Sequence, residues 1–209
     1  MKSIIGIAAQ AQMGKDTIAN RLVTRLNPGW RRVAFATGVK RVFKDTFGVD
    51  DDFVEEWKVK TEVPEGFLKP VRQSLQFIGD GFRQIQSDIW IDLLFRKEYA
   101  PYIISDCRYV NEAKKIRQEG GFTIVAYRPN FLNDDPNPSE SQIKPIVEFC
   151  AANLDEGPIP NFTYLKNKFG SIVPDDIQYY DFFIANNGSV QKLYDKIDSI
   201  LIPYIMEDD

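Results

Sequence analysis

The stretch SIIGIAAQAQMGKDT, residues 3–17, decides how this chain is read. Its first seven residues are an apolar run between polar neighbours, which suits a short strand buried on both faces. From Ile18 the pattern changes. Ile18, Leu22 and Leu26 recur at intervals of four with Ala19 and Val23 beside them, and Asn27, Pro28 and Gly29 end this helical stripe. Strand, glycine-bearing turn and helix follow one another directly. In that setting the turn's backbone amides and the positive end of the helix dipole can cradle phosphate. Lys15 would reach the outer phosphates and Thr17 would hydrogen-bond an inner one. The match to the glycine-rich phosphate loop has two departures: Ala9 replaces its first glycine, and Asp16 stands where a Ser or Thr usually binds the metal. A carboxylate there can hold Mg²⁺ directly or through water, because Mg²⁺ takes oxygen ligands and retains water. A plain turn with a solvated lysine is the competing reading, and the strand–turn–helix context weighs against it.

Working outward, residues 33–35 read as a strand and 39–47 as a helix. Helices follow at about 70–82 and 87–98, the second with Ser87 as N-cap. Residues 102–104 form a buried strand, and a helix over 112–119 is stopped by Gly120 and Gly121. Strands at 122–127 and 182–185 precede a last helix with Val190, Leu193, Ile197, Ile200 and Leu201 on one face. Strands alternating with helices imply a parallel sheet with right-handed crossovers, hence a three-layer α/β fold in a single domain over 1–209. The interval 130–180 breaks the rhythm. Residues 129–180 hold seven of the twelve prolines and show no clear long helix, only a short one near 143–153. We read 130–180 as an inserted, proline-rich, lid-like segment.

Composition removes several chemistries. The 209 residues contain no histidine, which excludes Ser-His-Asp and Cys-His relays and histidine-ligated zinc. Two cysteines, Cys107 and Cys150, are too few for a thiolate zinc site and read as buried, reduced thiols. A net charge of −4 argues against a nucleic-acid polymer as partner. No apolar run approaches a membrane span, and the N-terminal run leads into the Gly14-Lys15 turn instead of a cleavage site, so the expectation is a cytoplasmic protein.

Two further constellations carry chemistry. In YIISDCR, residues 102–108, an apolar strand runs into Asp106 and Arg108; at the carboxyl end of a strand an acid can orient Mg²⁺ and an arginine can clamp phosphate. The alternative is a helix-capping Asp106, a surface Arg108 and a Glu112 that pairs with Arg108 along the helix. Arg72 and Gln76 lie four apart, so both can face one cleft while Leu75 and Ile78 face the core. Lys40 is weak without context, and Trp90 taken alone reads as core.

Together these segments resemble the phage-type deoxynucleoside monophosphate kinases, P-loop enzymes that pass the γ-phosphate of ATP to a dNMP. The likeness runs through residues 4–17, 34–48, 72–79 (RxxxQxxG), 88–92 (DIWID), 104–112 (ISDCRYVNE), 120–129, 138–140 (PSE) and 181–193. It implies a three-layer P-loop kinase fold with a mostly parallel central sheet and an inserted lid-like segment. It implies ATP as co-substrate and Mg²⁺ as cofactor, with Gly14, Lys15, Asp16 and Thr17 on the nucleotide phosphates, Arg128 also at the nucleotide, and Asp16 and Asp106 on the metal. Lys40, Arg72, Gln76, Gly79, Trp90, Asp106, Arg108, Glu112 and Glu140 are the residues it assigns to the monophosphate. It implies a homodimer, for which the sequence shows no interface stripe, and a host cytoplasm if the chain is phage-encoded. Asn137 stands where such kinases often carry histidine, and residues 141–180 exceed the family's usual short connection.

Phosphoryl transfer to an ionised phosphate needs positioning and cations but no general base, in keeping with the absent histidine. All eleven arginines lie at or before Arg128, so a transition-state arginine must come from the core, with Arg108 the first candidate and Arg128 the second. Lys15, Asp16, Asp106 and Arg108 are therefore the catalytic set expected here. Competing readings are another small-molecule kinase, such as one acting on dephospho-coenzyme A, a non-catalytic nucleotide-binding protein, and an interaction protein working through the proline-rich segment.

Overall fold

The structure is a computed structural model that describes residues 3–26, 28–97, 101–129 and 141–206. In chain order its elements are β1 (Ile4–Ala8), α1 (Lys15–Arg25), β2 (Arg31–Val33), α2 (Ala36–Phe47), α3 (Asp51–Trp57), α4 (Val71–Ile85), α5 (Ile89–Lys97), β3 (Tyr102–Cys107), α6 (Val110–Gln118) and β4 (Phe122–Tyr127). Then come α7 (Lys144–Asn153), β5 (Gly157–Pro158), α8 (Phe162–Phe169), β6 (Phe182–Ala185), α9 (Val190–Lys196), a π-helical turn over Ile197–Leu201, and α10 (Ile202–Met206). These elements fall into two compact units, Met1–Val33 with Tyr99–Asp209, and Ala34–Glu98.

The first unit is built on a six-stranded sheet of order β2-β3-β1-β4-β6-β5. The first five strands run parallel, and the two-residue β5 joins the edge antiparallel to β6. All five residues of β1 are buried, as the apolar run at 3–9 predicts for a strand covered on both faces. Neighbouring residues of a strand point to opposite faces. Ile5 and Ile7 join Ile18 and Leu22 of α1 and Leu193, Ile197 and Leu201 near the C-terminus in one core. Gly6 faces the other way, toward α6: a Cβ there would lie 2.5 Å from Ile116 Cδ1. Helices thus cover both faces, giving the three-layer α/β arrangement that the alternating pattern predicts. The C-terminal helices are also tied to α1 through Asp198, whose carboxylate accepts both Nε (3.0 Å) and Nη2 of Arg21.

Several elements differ from the sequence reading. β2 lies two residues earlier than predicted, because Arg31 and Arg32 on this edge strand are exposed and leave no apolar run to mark it. Ser87 was predicted to cap a helix; α5 starts two residues later and the Ser87 hydroxyl donates to Asp88. Residues 141–180, read as proline-rich with one short helix, carry more regular structure than that. They hold α7, where the short helix was expected, and α8, with Ile146, Phe149, Cys150, Leu165, Val173 and Ile177 buried. Residues 141–180 of the segment read as lid-like therefore belong to the first unit and contribute buried side chains to it. Asn137 and Glu140 lie outside the described residues.

The second unit is helical. Phe43, Val54 and Val71 form its core with Phe53, Trp57, Phe67, Leu75 and Ile78 packed around them. Phe67 stacks on Phe43 at 5.8 Å and on Phe53 at 5.6 Å. The short helix α3, begun by the Asp50 carboxylate accepting the Phe53 amide at 2.8 Å, was not read from the sequence. Among the described residues no helix is long and apolar enough to cross a membrane.

Both cysteines are free and fully buried. Burial pushes the Cys150 thiol up to about 12 and drives Cys107, which also faces the carboxylates of Glu112 and Asp106, well above its ordinary value. Neutral buried thiols are poor nucleophiles. Native protein at pH 8 is therefore expected to leave iodoacetamide unreacted over an hour, whereas denatured protein takes up two equivalents. Rapid alkylation of the native chain would contradict this packing.

Candidate functional site

The parallel register places the carboxyl ends of β1, β3 and β4 side by side: Ala8 is opposite Cys107 on one flank and Val125 on the other. The chain crosses to β2 and β3 on one side of β1 and to β4 and β6 on the other, so the winding reverses at β1. Ligands of doubly wound sheets bind at such reversals, beyond the carboxyl ends of the strands. The residues leaving β1 here are the loop 9–14.

That loop is shaped by two left-handed residues, Gln12 (φ 63°) and Gly14 (φ 96°). Left-handed residues alternating with right-handed ones turn successive amides toward one concave side, a nest for an anion. α1 starts on Gly14, which offers no side-chain cap to the first-turn amides. Side chains cap α3 (Asp50), α8 (Asn161) and α9 (Ser189), whereas α2, α4 and α7, like α1, start without one. The uncapped first turn of α1, with the dipole behind it, suits a negatively charged group.

The loop is braced from below. The Arg128 amide, just past β4, donates to Met13 Sδ at 3.1 Å, and Met13 is buried. Beyond β6, Asn186 donates its backbone amide to Tyr127 O (2.6 Å) and its side-chain amide to Met13 O (3.4 Å). A Cβ on Gly14 would stand 2.6 Å from Asn186 Nδ2, so glycine is required both by φ and by this close approach.

Charge is concentrated at the start of α1. Lys15 Nζ bonds Asp16 Oδ2 at 2.6 Å, and Arg32 Nη2 bonds Asp16 Oδ1. Burial opposes ionisation of Asp16, but the Lys15 and Arg32 cations outweigh it and hold the carboxyl below its ordinary value. Arg32 also donates from Nε to Ser105 Oγ (2.7 Å) and from Nη1 to Asn20 Oδ1 (3.3 Å). Sequence reasoning missed Arg32 and Ser105. The only mark they leave in the sequence is the Arg31-Arg32 pair, on an edge strand without an apolar run.

The other predicted residues of this unit divide. Asp106, near the end of β3, and Arg108, just past it, are both half-buried at the same sheet edge as the loop. Arg128 is exposed beyond β4. Glu112 was expected among the substrate-binding residues, yet it is 1% exposed and accepts the amides of Arg108 (2.8 Å) and Tyr109 (3.0 Å). Its carboxylate closes the N-terminus of α6, and it shapes the backbone that carries Arg108 without facing solvent.

Lys40, Arg72, Gln76, Gly79 and Trp90 all belong to the second unit. Arg72 is exposed and Gln76 half-buried on α4, as their four-residue spacing predicts for one face. Lys40 is held by Glu55 of α3 at 2.5 Å. Trp90 is 3% exposed, donates from Nε1 to Gly79 O at 3.0 Å and packs against Phe82. It ties α5 to α4 as a core residue, the reading its sequence context gave when taken alone.

No protein family model matches the chain. It is 28% identical over 178 residues to a protein of Acanthamoeba polyphaga mimivirus named "Putative deoxynucleotide monophosphate kinase", a match that covers 76% of this chain and 91% of the relative. Among solved structures it is similar to a dephospho-CoA kinase from Campylobacter jejuni (16% identity, 99% of this chain and 98% of that one, TM-score 0.42). A thymidylate kinase from Candida albicans is similar at 14% identity, over 98% of this chain and 92% of that one, with a TM-score of 0.32.

The placement of Glu112 makes a prediction. Glu112→Ala leaves the buried Tyr109 amide and the part-buried Arg108 amide without this acceptor and should lower stability by about 1–3 kcal/mol in urea denaturation. An unchanged midpoint would contradict this capping role.

Proposed function

We propose that this protein transfers the γ-phosphate of ATP to a deoxynucleoside 5′-monophosphate, giving ADP and the dNDP. The observation that carries the proposal is the braced loop after β1, with its left-handed residues, uncapped helix start and Lys15. The named mimivirus relative, which aligns over most of both chains, supports the same reading. Both it and the resemblance of the sequence segments favour a nucleoside monophosphate as acceptor.

In this account the amides of residues 12–17 and the Lys15 ammonium bind the donor phosphates, with the Thr17 hydroxyl on an inner one. A 5′-phosphate oxygen of the acceptor attacks the γ-phosphorus in line. The new O–P bond forms as the bond from the γ-phosphorus to the β–γ bridging oxygen breaks, and its electron pair leaves with ADP. The acceptor phosphate is already ionised near neutral pH, so no side chain must take a proton. Arg108 clamps the acceptor phosphate. Arg108 also carries charge stabilisation in the transition state, Arg128 being the second candidate. Glu112 contributes by holding the Arg108 backbone, and Trp90 with Gly79 by fixing α5 against α4.

Asp16 and Asp106 fit Mg²⁺ as oxygen donors. Among the described residues no group of three or more carboxylates or cysteines is gathered to hold a metal alone. A cation taken up together with nucleotide phosphates needs only one or two carboxylates from the protein. When bound there, Mg²⁺ would neutralise phosphate charge and polarise the transferring group.

The test is a coupled assay with ATP and Mg²⁺ across the four dNMPs, the ribonucleotide NMPs and dephospho-coenzyme A. At least one dNMP should be phosphorylated at a kcat near 1–100 s⁻¹, about the range of kinases. Lys15→Ala should lower kcat roughly a hundredfold or more, with the melting temperature unchanged. Turnover of dephospho-coenzyme A alone would replace the acceptor, and an unaltered Lys15→Ala kcat would remove the loop from the mechanism.

A further inference from the structure

Arg32 lies on the edge strand β2, where a guanidinium could simply project into water. Instead each part of its fork is bound: Nη2 to Asp16 Oδ1, Nε to Ser105 Oγ at 2.7 Å, and Nη1 to Asn20 Oδ1 at 3.3 Å. Ser105 is 1% exposed, so the middle contact is anchored in β3, while Asp16 and Asn20 are on α1. The side chain is 38% exposed and still spans two elements. A lysine could not make these contacts, because it lacks the planar fork.

The carboxylate that Arg32 grips is also the one that holds Lys15. Lys15 Nζ is 2.6 Å from Asp16 Oδ2, and the Lys15 side chain is only 16% exposed. A lysine drawn onto its neighbour's carboxylate has much of its charge compensated there and offers correspondingly less to a phosphate. When it leaves, a bare carboxylate would remain beside the anion-binding amides and repel an incoming phosphate.

We propose that Arg32 is a positioning residue of the phosphate loop: by pairing with Asp16 Oδ1 it lets Lys15 exchange the Asp16 carboxylate for a ligand phosphate. The inference rests on the phosphate-loop reading and extends it to a residue outside the loop motif. In the free protein Asp16 shares its two oxygens between two cations. On binding, Lys15 moves to the phosphate, and Arg32 stays on Asp16, fixed by Ser105 and Asn20. The carboxylate is thereby kept from recapturing Lys15. A nucleotide phosphate carries more negative charge than a carboxylate already compensated by Arg32, so the exchange runs toward the ligand once Asp16 has its own partner.

The experiment is calorimetric titration with ADP in the presence of EDTA, which reads phosphate binding without metal or turnover. Wild type, Arg32→Met, Asp16→Asn and the double variant are compared, with melting curves for each. Arg32→Met should weaken ADP binding about tenfold, because Asp16 then holds Lys15 alone. Asp16→Asn should bind ADP at least as tightly as wild type. The double variant should recover to within about threefold of Asp16→Asn, since a neutral amide no longer competes for Lys15. Arg32→Lys should fall between wild type and Arg32→Met, which serves if the methionine variant does not fold, and Asp16→Ser serves in the same way for Asp16→Asn. A purely structural Arg32, stapling β3 to α1, would lower the melting temperature and leave the double variant as weak as Arg32→Met; that result overturns the inference. So does Arg32→Met binding within twofold of wild type. If wild type itself binds no ADP, the inference falls together with the phosphate-loop reading, which separates the two failures.

Discussion

The start of α1 is the constraint on which the rest depends. A helix that begins on a left-handed glycine directly after a fully buried central strand points its first amides past the sheet edge without a side-chain cap. Those amides need an acceptor, and the fold keeps them available by fixing everything beneath them. Met13 is buried and receives the Arg128 amide, while Asn186 reaches from the end of β6 to Met13 O and packs on Gly14. Three strands of one sheet thus hold one turn. A loop made rigid in this way is preorganised for an anion and loses little entropy on binding it.

Electrostatics at the same point are balanced, not simply positive. Lys15 and Arg32 share Asp16, and the net effect is a carboxylate kept ionised in spite of partial burial. The linkage sign follows. A depressed carboxyl stabilises the fold at neutral pH, and that contribution disappears as pH falls below the ordinary carboxylate range. With Asp16 half exposed, the effect on overall stability is small. Its weight lies in which group Lys15 bonds.

The central fold was legible because buried parallel strands and amphipathic helices leave strong periodic marks. β1, α1, β4, β6 and the final helices followed from apolar runs and intervals of three and four. β2 was misplaced because an edge strand carrying two exposed arginines has no such mark, and with it went Arg32, whose role depends on contacts distant in sequence. α3 escaped because its signal is an Asp50 cap with only one fully buried residue, Val54. The segment 141–180 looked irregular through its prolines, yet its apolar residues serve the first unit's core. At the site, the loop residues were readable from type and order alone. Glu112 was not, since an acid four residues past an arginine is equally consistent with a ligand contact, a side-chain pair or the backbone cap it makes.

The central claim is that the loop over 9–17 is built to hold phosphate, and the most direct measurement is a crystal structure of the protein grown with ADP. The account predicts the β-phosphate within hydrogen-bond distance of the amides between Gly14 and Thr17, with Lys15 Nζ moved from Asp16 onto a phosphate oxygen. A nucleotide bound elsewhere, or a loop whose amides and Lys15–Asp16 pair are unchanged at saturating ADP, would contradict it.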